Sequence, residues 1–85
     1  MANYRLVFKQ SVAKDLRSIP KHDVASILNK IESLAINPTP LGSEKLSGQS
    51  RYRIRQGNYR ILYEIDDHQI CITIVKIGHR RDVYR

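Results

Sequence analysis

Between residues 51 and 77 three short strand-like runs follow one another, separated by two tight-turn signals. In Arg51-Tyr52-Arg53-Ile54-Arg55, Tyr52 and Ile54 fall on one face and three arginines on the other, because successive strand side chains point to opposite sides. Gln56-Gly57-Asn58 is a tight-turn signal. Tyr59 to Ile65 alternates again, and Asp66-Asp67-His68 makes a second turn. Ile70 to Ile77 is apolar on both faces apart from Thr73 and Lys76, the pattern of a central strand that Gly78 ends. Runs joined this tightly must pair antiparallel, since a parallel crossover needs a dozen or more residues.

The elements upstream decide what covers such a sheet. Tyr4-Arg5-Leu6-Val7-Phe8 reads as a first strand, rich in aromatic and branched residues. Phe8, Val12, Leu16 and Ile19 then recur at helical spacing, predicting a helix over 9–19. Pro20 suits the start of a helix but not its interior, so it closes this helix and opens the next. Val24, Ile27, Leu28, Ile31, Leu34 and Ala35 form the apolar stripe of the second helix, which Asn37-Pro38-Thr39-Pro40 stops. Residues 41–50 read as a loop. The order βααβββ predicts a single α+β domain spanning residues 1–85. Its mostly antiparallel four-stranded sheet carries a helical hairpin on one face. No remaining element covers the other face, and there the arginines can point.

Charge says what that open face is for. Fifteen Lys and Arg against eight Asp and Glu leave a net charge of +7. Seven of the eight basic residues after position 50 are arginine, whose planar fork of donors grips phosphate in two places at once. A polyanionic partner is expected. The bland reading of Arg51, Arg53 and Arg55 is a solvated edge that discourages aggregation. Three aligned arginines with no acid among them repel one another, however, which favours a visiting anion. Lys76 and Arg81 extend the candidate nucleic-acid surface. Arg60 reads either as a salt bridge to Glu64 or to an acid on an adjacent strand, or as a phosphate contact. Gly78-His79-Arg80 ends a strand, where loops commonly carry function, and Tyr84 is either a packing anchor or a functional phenol.

Other chemistries are poorly served. The single cysteine, Cys71, lies in an apolar run and reads as a buried strand thiol. No His/Cys/Asp/Glu set has metal-ligand spacing, and no glycine-rich phosphate loop or nucleophile elbow occurs, so neither metal nor cofactor is expected. No apolar stretch approaches the length of a membrane span. With one cysteine and no signal peptide, the cytoplasm is the expected compartment.

These segments, in this order, resemble the RelE/ParE superfamily of small toxins from toxin–antitoxin pairs. The resemblance covers nearly the whole chain. It rests on the first strand, the helical hairpin, Lys45-Leu46-Ser47-Gly48, Tyr52-Arg53-Ile54-Arg55, Asn58-Tyr59-Arg60-Ile61-Leu62-Tyr63 and Gly78-His79-Arg80-Arg81-Asp82-Val83-Tyr84. RelE-like members cleave messenger RNA in the ribosomal A site, whereas ParE-like members inhibit DNA gyrase. The family's cleavage residues match Arg53, Arg55, Arg60, Arg80 and Tyr84 here, so the resemblance implies a metal-independent endoribonuclease. A gyrase inhibitor, or a basic module that binds nucleic acid without chemistry, is the alternative. The implied partners are the ribosome, messenger RNA and a cognate RelB-like antitoxin.

The implied reaction is attack of a ribose 2′-hydroxyl on the adjacent phosphate. Arg60 and Arg80 suit the phosphate oxygens, where charge-assisted contacts strengthen as charge builds. Tyr84 is the implied base, its phenol lowered from about 10 by neighbouring guanidinium groups. Where known members have lysines, this chain has Arg53 and Arg55, which stay protonated and can only position and stabilise. His79 is then the nearest titratable group for the role of general acid.

Overall fold

The computed structural model describes residues 3–46, 50–79 and 81. Strand β1 (Arg5–Phe8) leads into helix α1 (Gln10–Arg17) and helix α2 (Lys21–Ile36). A two-residue strand β2 (Glu44–Lys45) precedes β3 (Arg51–Gln56), β4 (Tyr59–Asp66) and β5 (Cys71–His79). The described strands form one sheet in the order β1-β5-β4-β3-β2. β1 runs parallel to β5, and the other three ladders are antiparallel.

The α+β class and the helical hairpin on one face are as the residue pattern predicts; the strand count is not. A fifth strand lies within the expected loop 41–50, where Glu44 and Lys45 pair with Arg53 and Tyr52. Two polar residues carry no alternation, so nothing in the pattern marks them. Helix α1 is shorter than expected, and Phe8 closes β1 instead of joining the helical stripe. Pro20 sits at the N-cap of α2, its carbonyl accepting from the N–H groups of Asp23 and Val24 (both 3.0 Å). β5 starts one residue later than expected and continues past Gly78 to His79.

One core joins the layers. Val12 and Ile19 from the first helical segment and Ile27, Ile31 and Leu34 from α2 meet Ile54, Ile61, Tyr63, Ile72, Ile74 and Ile77 from the sheet. The i, i+4, i+7 spacing of Ile27, Ile31 and Leu34 is what turns all three to the sheet. No helix among the described residues is long and apolar enough to cross a membrane.

The β4–β5 turn carries local strain. Asp66 accepts from the backbone N–H groups of His68 and Gln69 (3.0 and 3.1 Å), and Ile70 leaves the turn at φ 51°. A branched residue in the left-handed region costs on the order of 1–2 kcal/mol. Ile70 is exposed and contributes little packing. Ile70→Asn is therefore expected to stabilise the fold by about 1 kcal/mol, raising Tm by roughly 5 °C in thermal denaturation. An unchanged or lower Tm would contradict this account of the turn.

Tyr63 gives the fold a pH limit. Its side chain is fully buried, and its hydroxyl donates to the carbonyl of Pro38 at 2.7 Å. Burial pushes the phenol up to about 12, with a hydrogen bond involving Ser43 partly opposing the shift. In the unfolded chain the same phenol ionises near pH ~10. Between those values the folded state keeps a proton that the unfolded state has lost, so this contribution is complete below about pH 10 and falls as pH rises toward 12. The slope is about 1 kcal/mol per pH unit. Urea unfolding across this range should show it, with a shallower decline in Tyr63→Phe; identical slopes would refute the assignment.

Candidate functional site

The sheet's open face is built by the period of two in β3. Tyr52 and Ile54 pack toward the helices, which leaves Arg51, Arg53 and Arg55 on the opposite side. Gly57 takes φ 60° at the first central position of the β3–β4 hairpin, where left-handed backbone is needed. This two-residue turn fixes the register: Arg55 faces Arg60, Arg53 faces Leu62, and Arg51 faces Glu64.

A β-bulge sets what stands on β5. Leu62 pairs with Lys76 while Tyr63 pairs with Ile74, so Val75 is the extra residue. The insertion reverses the facing of everything after it. Ile72 and Ile74 share the helix face with Ile77 despite the odd spacing, and Gly78 comes to stand opposite Arg60 on the open face.

The arginines are not alike. The Arg51 guanidinium donates to Glu64 Oε2 from Nη2 and Nε, at 3.0 and 3.3 Å. Arg53 Nη2 donates to Glu44 Oε2 at 2.8 Å. The expectation of arginines with no acid among them is therefore corrected: two of the three are held by carboxylates. The β3–β4 register brings Glu64 opposite Arg51, and the position of Glu44 depends on β2, which had no sequence signal. Glu64 is engaged by Arg51, its cross-strand partner. Among the described residues, no carboxylate lies within ion-pairing distance of Arg55, which is exposed and directly opposite Arg60. Like charges in that position destabilise a sheet unless an anion sits between them. A hollow of about 380 Å³ opens there, lined by Gly42, Glu44, Arg53, Ile54, Arg55 and Arg60.

The other expected site residues lie elsewhere. Lys76 turns its ammonium toward Asp15 of α1, at 3.8 Å, and the same carboxylate accepts the Ile77 N–H at 3.1 Å. His79 shares the helix face with Tyr59, their rings edge to face at 5.9 Å. The bulge thus places His79 on the sheet face opposite to that of Arg60. Its Nδ1 accepts the backbone N–H of Arg81 at 3.3 Å. Lys76 and His79 instead border a hollow of about 410 Å³ with Asp15, Ser18 and Tyr59. Arg80 and Tyr84 fall outside the described residues.

Three described tyrosines are tuned against acting as bases. Burial, then the charge and hydrogen bond of Asp23, push the Tyr59 phenol up. Burial does the same to Tyr63, and a hydrogen bond to Asp67 at 2.7 Å raises Tyr4. Each holds its proton more tightly than a free phenol.

Two guanidinium groups in one register position are a chemistry suited to a phosphate-sized anion. Known proteins share both the sequence and the architecture. A family model for the ParE toxin of type II toxin–antitoxin systems matches residues 6–84. Toxin RelG of Mycobacterium tuberculosis is 30% identical over 96% of this chain and 97% of its own. Toxin RelE3 of Methanocaldococcus jannaschii is 33% identical over 94% of each. In the crystal structure of the archaeal RelE–RelB complex from Pyrococcus horikoshii, one chain superposes with a TM-score of 0.84 at 30% identity, covering 95% of this chain and 99% of that one. With the matched fold, the full-length family match and relatives at this identity, the chain belongs to the RelE/ParE superfamily of type II toxin–antitoxin toxins.

Proposed function

We propose that this toxin is a RelE-like, ribosome-dependent endoribonuclease that cleaves messenger RNA in the A site. The observation that carries the reading is the Arg55–Arg60 register pair on the sheet face away from the helices, with a glycine opposite Arg60. Two guanidinium groups there can hold the non-bridging oxygens of one phosphate and gain strength as charge develops on them. Arg80 is assigned to the same phosphate, and Arg53 helps to position the RNA.

In this reading Tyr84, as phenolate, takes the proton of the 2′-hydroxyl. The 2′-oxygen then bonds to phosphorus while the bond to the 5′-oxygen breaks. The products are a 2′,3′-cyclic phosphate upstream and, once the leaving oxygen takes a proton from water, a 5′-hydroxyl downstream. Holding the 2′-oxygen in line with the leaving oxygen is itself a large part of such a rate. His79 is assigned to packing against Tyr59.

The reading places the toxin in the cytoplasm, where ribosomes are, under the restraint of a cognate RelB-like antitoxin. Support for that partner comes from relatives whose structures are RelE–RelB complexes. The match to the ParE family model favours a second reading, inhibition of DNA gyrase without catalysis. Mapping the 5′ ends of messages in expressing cells separates the two. Cuts inside codons that vanish when translation is blocked support the nuclease; a DNA-damage response with intact messages supports the gyrase inhibitor.

A further inference from the structure

Strand β5 loses a neighbour halfway along. β1 pairs with it from Cys71 to Ile74 and then ends, the Lys9 N–H donating to the Ile74 carbonyl at 3.1 Å. Beyond that point the described residues put no strand on this side, and side chains hold the backbone instead. Asp15 of α1, its side chain 18% exposed, accepts the Ile77 N–H at Oδ2 (3.1 Å), while Lys76 Nζ stands 3.8 Å from Oδ1. Farther on, His79 Nδ1 accepts the Arg81 N–H at 3.3 Å. The imidazole is itself braced. Its ring meets Tyr59 edge to face at 5.9 Å, and the Tyr59 hydroxyl donates to Asp23 Oδ2 in the first turn of α2, at 3.3 Å.

The two bonds bracket the stretch where the proposed chemistry needs precision. Gly78, opposite Arg60, lies between Ile77 and His79. Arg80, which the proposed function assigns to the phosphate, lies between His79 and Arg81 in the chain. We infer that Asp15 and His79 are positioning residues for RNA cleavage. Each lends a side-chain acceptor to a backbone N–H at the end of β5, and together they fix the backbone on either side of the residues that meet the phosphate. The inference rests on the nuclease reading and adds how the end of β5 is held for it. Neither residue has to touch the RNA, since a displacement of about 1 Å in a reacting geometry costs on the order of 100-fold in rate.

Four variants separate the acceptor from the rest of each side chain. Asp15→Asn keeps an oxygen for the Ile77 N–H and gives up the charge beside Lys76, whereas Asp15→Ala removes both. His79→Asn keeps an acceptor the same number of bonds from the backbone and loses the ring, whereas His79→Phe keeps the ring and loses the acceptor. Single-turnover cleavage on ribosomes with an empty A site should fall about tenfold or more in Asp15→Ala and His79→Phe, and stay within about threefold of the parent in the two Asn variants. The half-saturating ribosome concentration should be unchanged in all four. Amide exchange read by NMR should quicken at Ile77 in Asp15→Ala but not in Asp15→Asn, which reports the bond itself in the folded protein. Cleavage rates that do not follow the acceptor, or Ile77 exchange unchanged in Asp15→Ala, overturn the inference while the parent's cleavage stands. So does a rate loss explained by unfolding at the assay temperature, which thermal denaturation of each variant reads. If the parent itself cuts no message, the nuclease reading and the inference fall together.

Discussion

Arg60→Ala is expected to lower ribosome-dependent cleavage of messenger RNA by at least about 100-fold while leaving the fold intact. The magnitude is that of removing one preorganised donor from a developing oxyanion. Arg60 stands on the open face opposite Arg55 on one side and Gly78 on the other, outside the core cluster. Its removal opens no core cavity. Thermal unfolding of the variant should stay within a few degrees of the parent. Cleavage within a few-fold of the parent would remove Arg60 from the phosphate site. A collapse of Tm would make it a structural residue instead.

The next residue along the strand should behave in the opposite way. Ile61 points to the helix face, is fully buried, and stands between Ile54 of β3 and Ile77 of β5. Truncating it to alanine removes buried methyl and methylene groups and leaves a cavity in the middle of the sheet, at a cost of about 3 kcal/mol. In a domain this small that is a large part of the total stability, and Tm should fall by more than about 10 °C. Cleavage measured well below the new Tm should survive, because the open face is still presented. A Tm change under about 3 °C would mean that β4 is not the centre of the core. The two variants together separate what holds the fold from what the face does, at adjacent positions of one strand.

Much of this was legible in the residues because it follows from periodicity. The alternation of Arg51 to Arg55 separates a core face from a basic one without reference to any other element. The glycine at position 57 marks a tight turn between the two strands, and the stripe of α2 has to find an apolar sheet. What could not be read depends on events without a period. The bulge at Val75 reverses the facing of β5, so His79, adjacent to Gly78 in the chain, lies on the face opposite Arg60. Strand β2 consists of Glu44 and Lys45 alone, and only its pairing with β3 brings Glu44 to Arg53. The left-handed Ile70 contradicts its own propensity and is held where its carbonyl accepts the N–H of Arg5 at 2.9 Å. Arginine identity at 53 and 55 carried chemical information of its own. A group that stays protonated can stabilise a phosphate, but it cannot trade protons with the reacting oxygens.

The most direct test is to add the purified toxin to ribosomes stalled on a message labelled at its 5′ end, with a defined codon in an empty A site. The proposed function predicts one cut within that codon, a 5′-hydroxyl on the downstream fragment, no requirement for divalent metal beyond what the ribosome needs, and loss of the cut with Arg60→Ala. An intact message on the ribosome, together with inhibition of gyrase supercoiling by the same preparation, would contradict it.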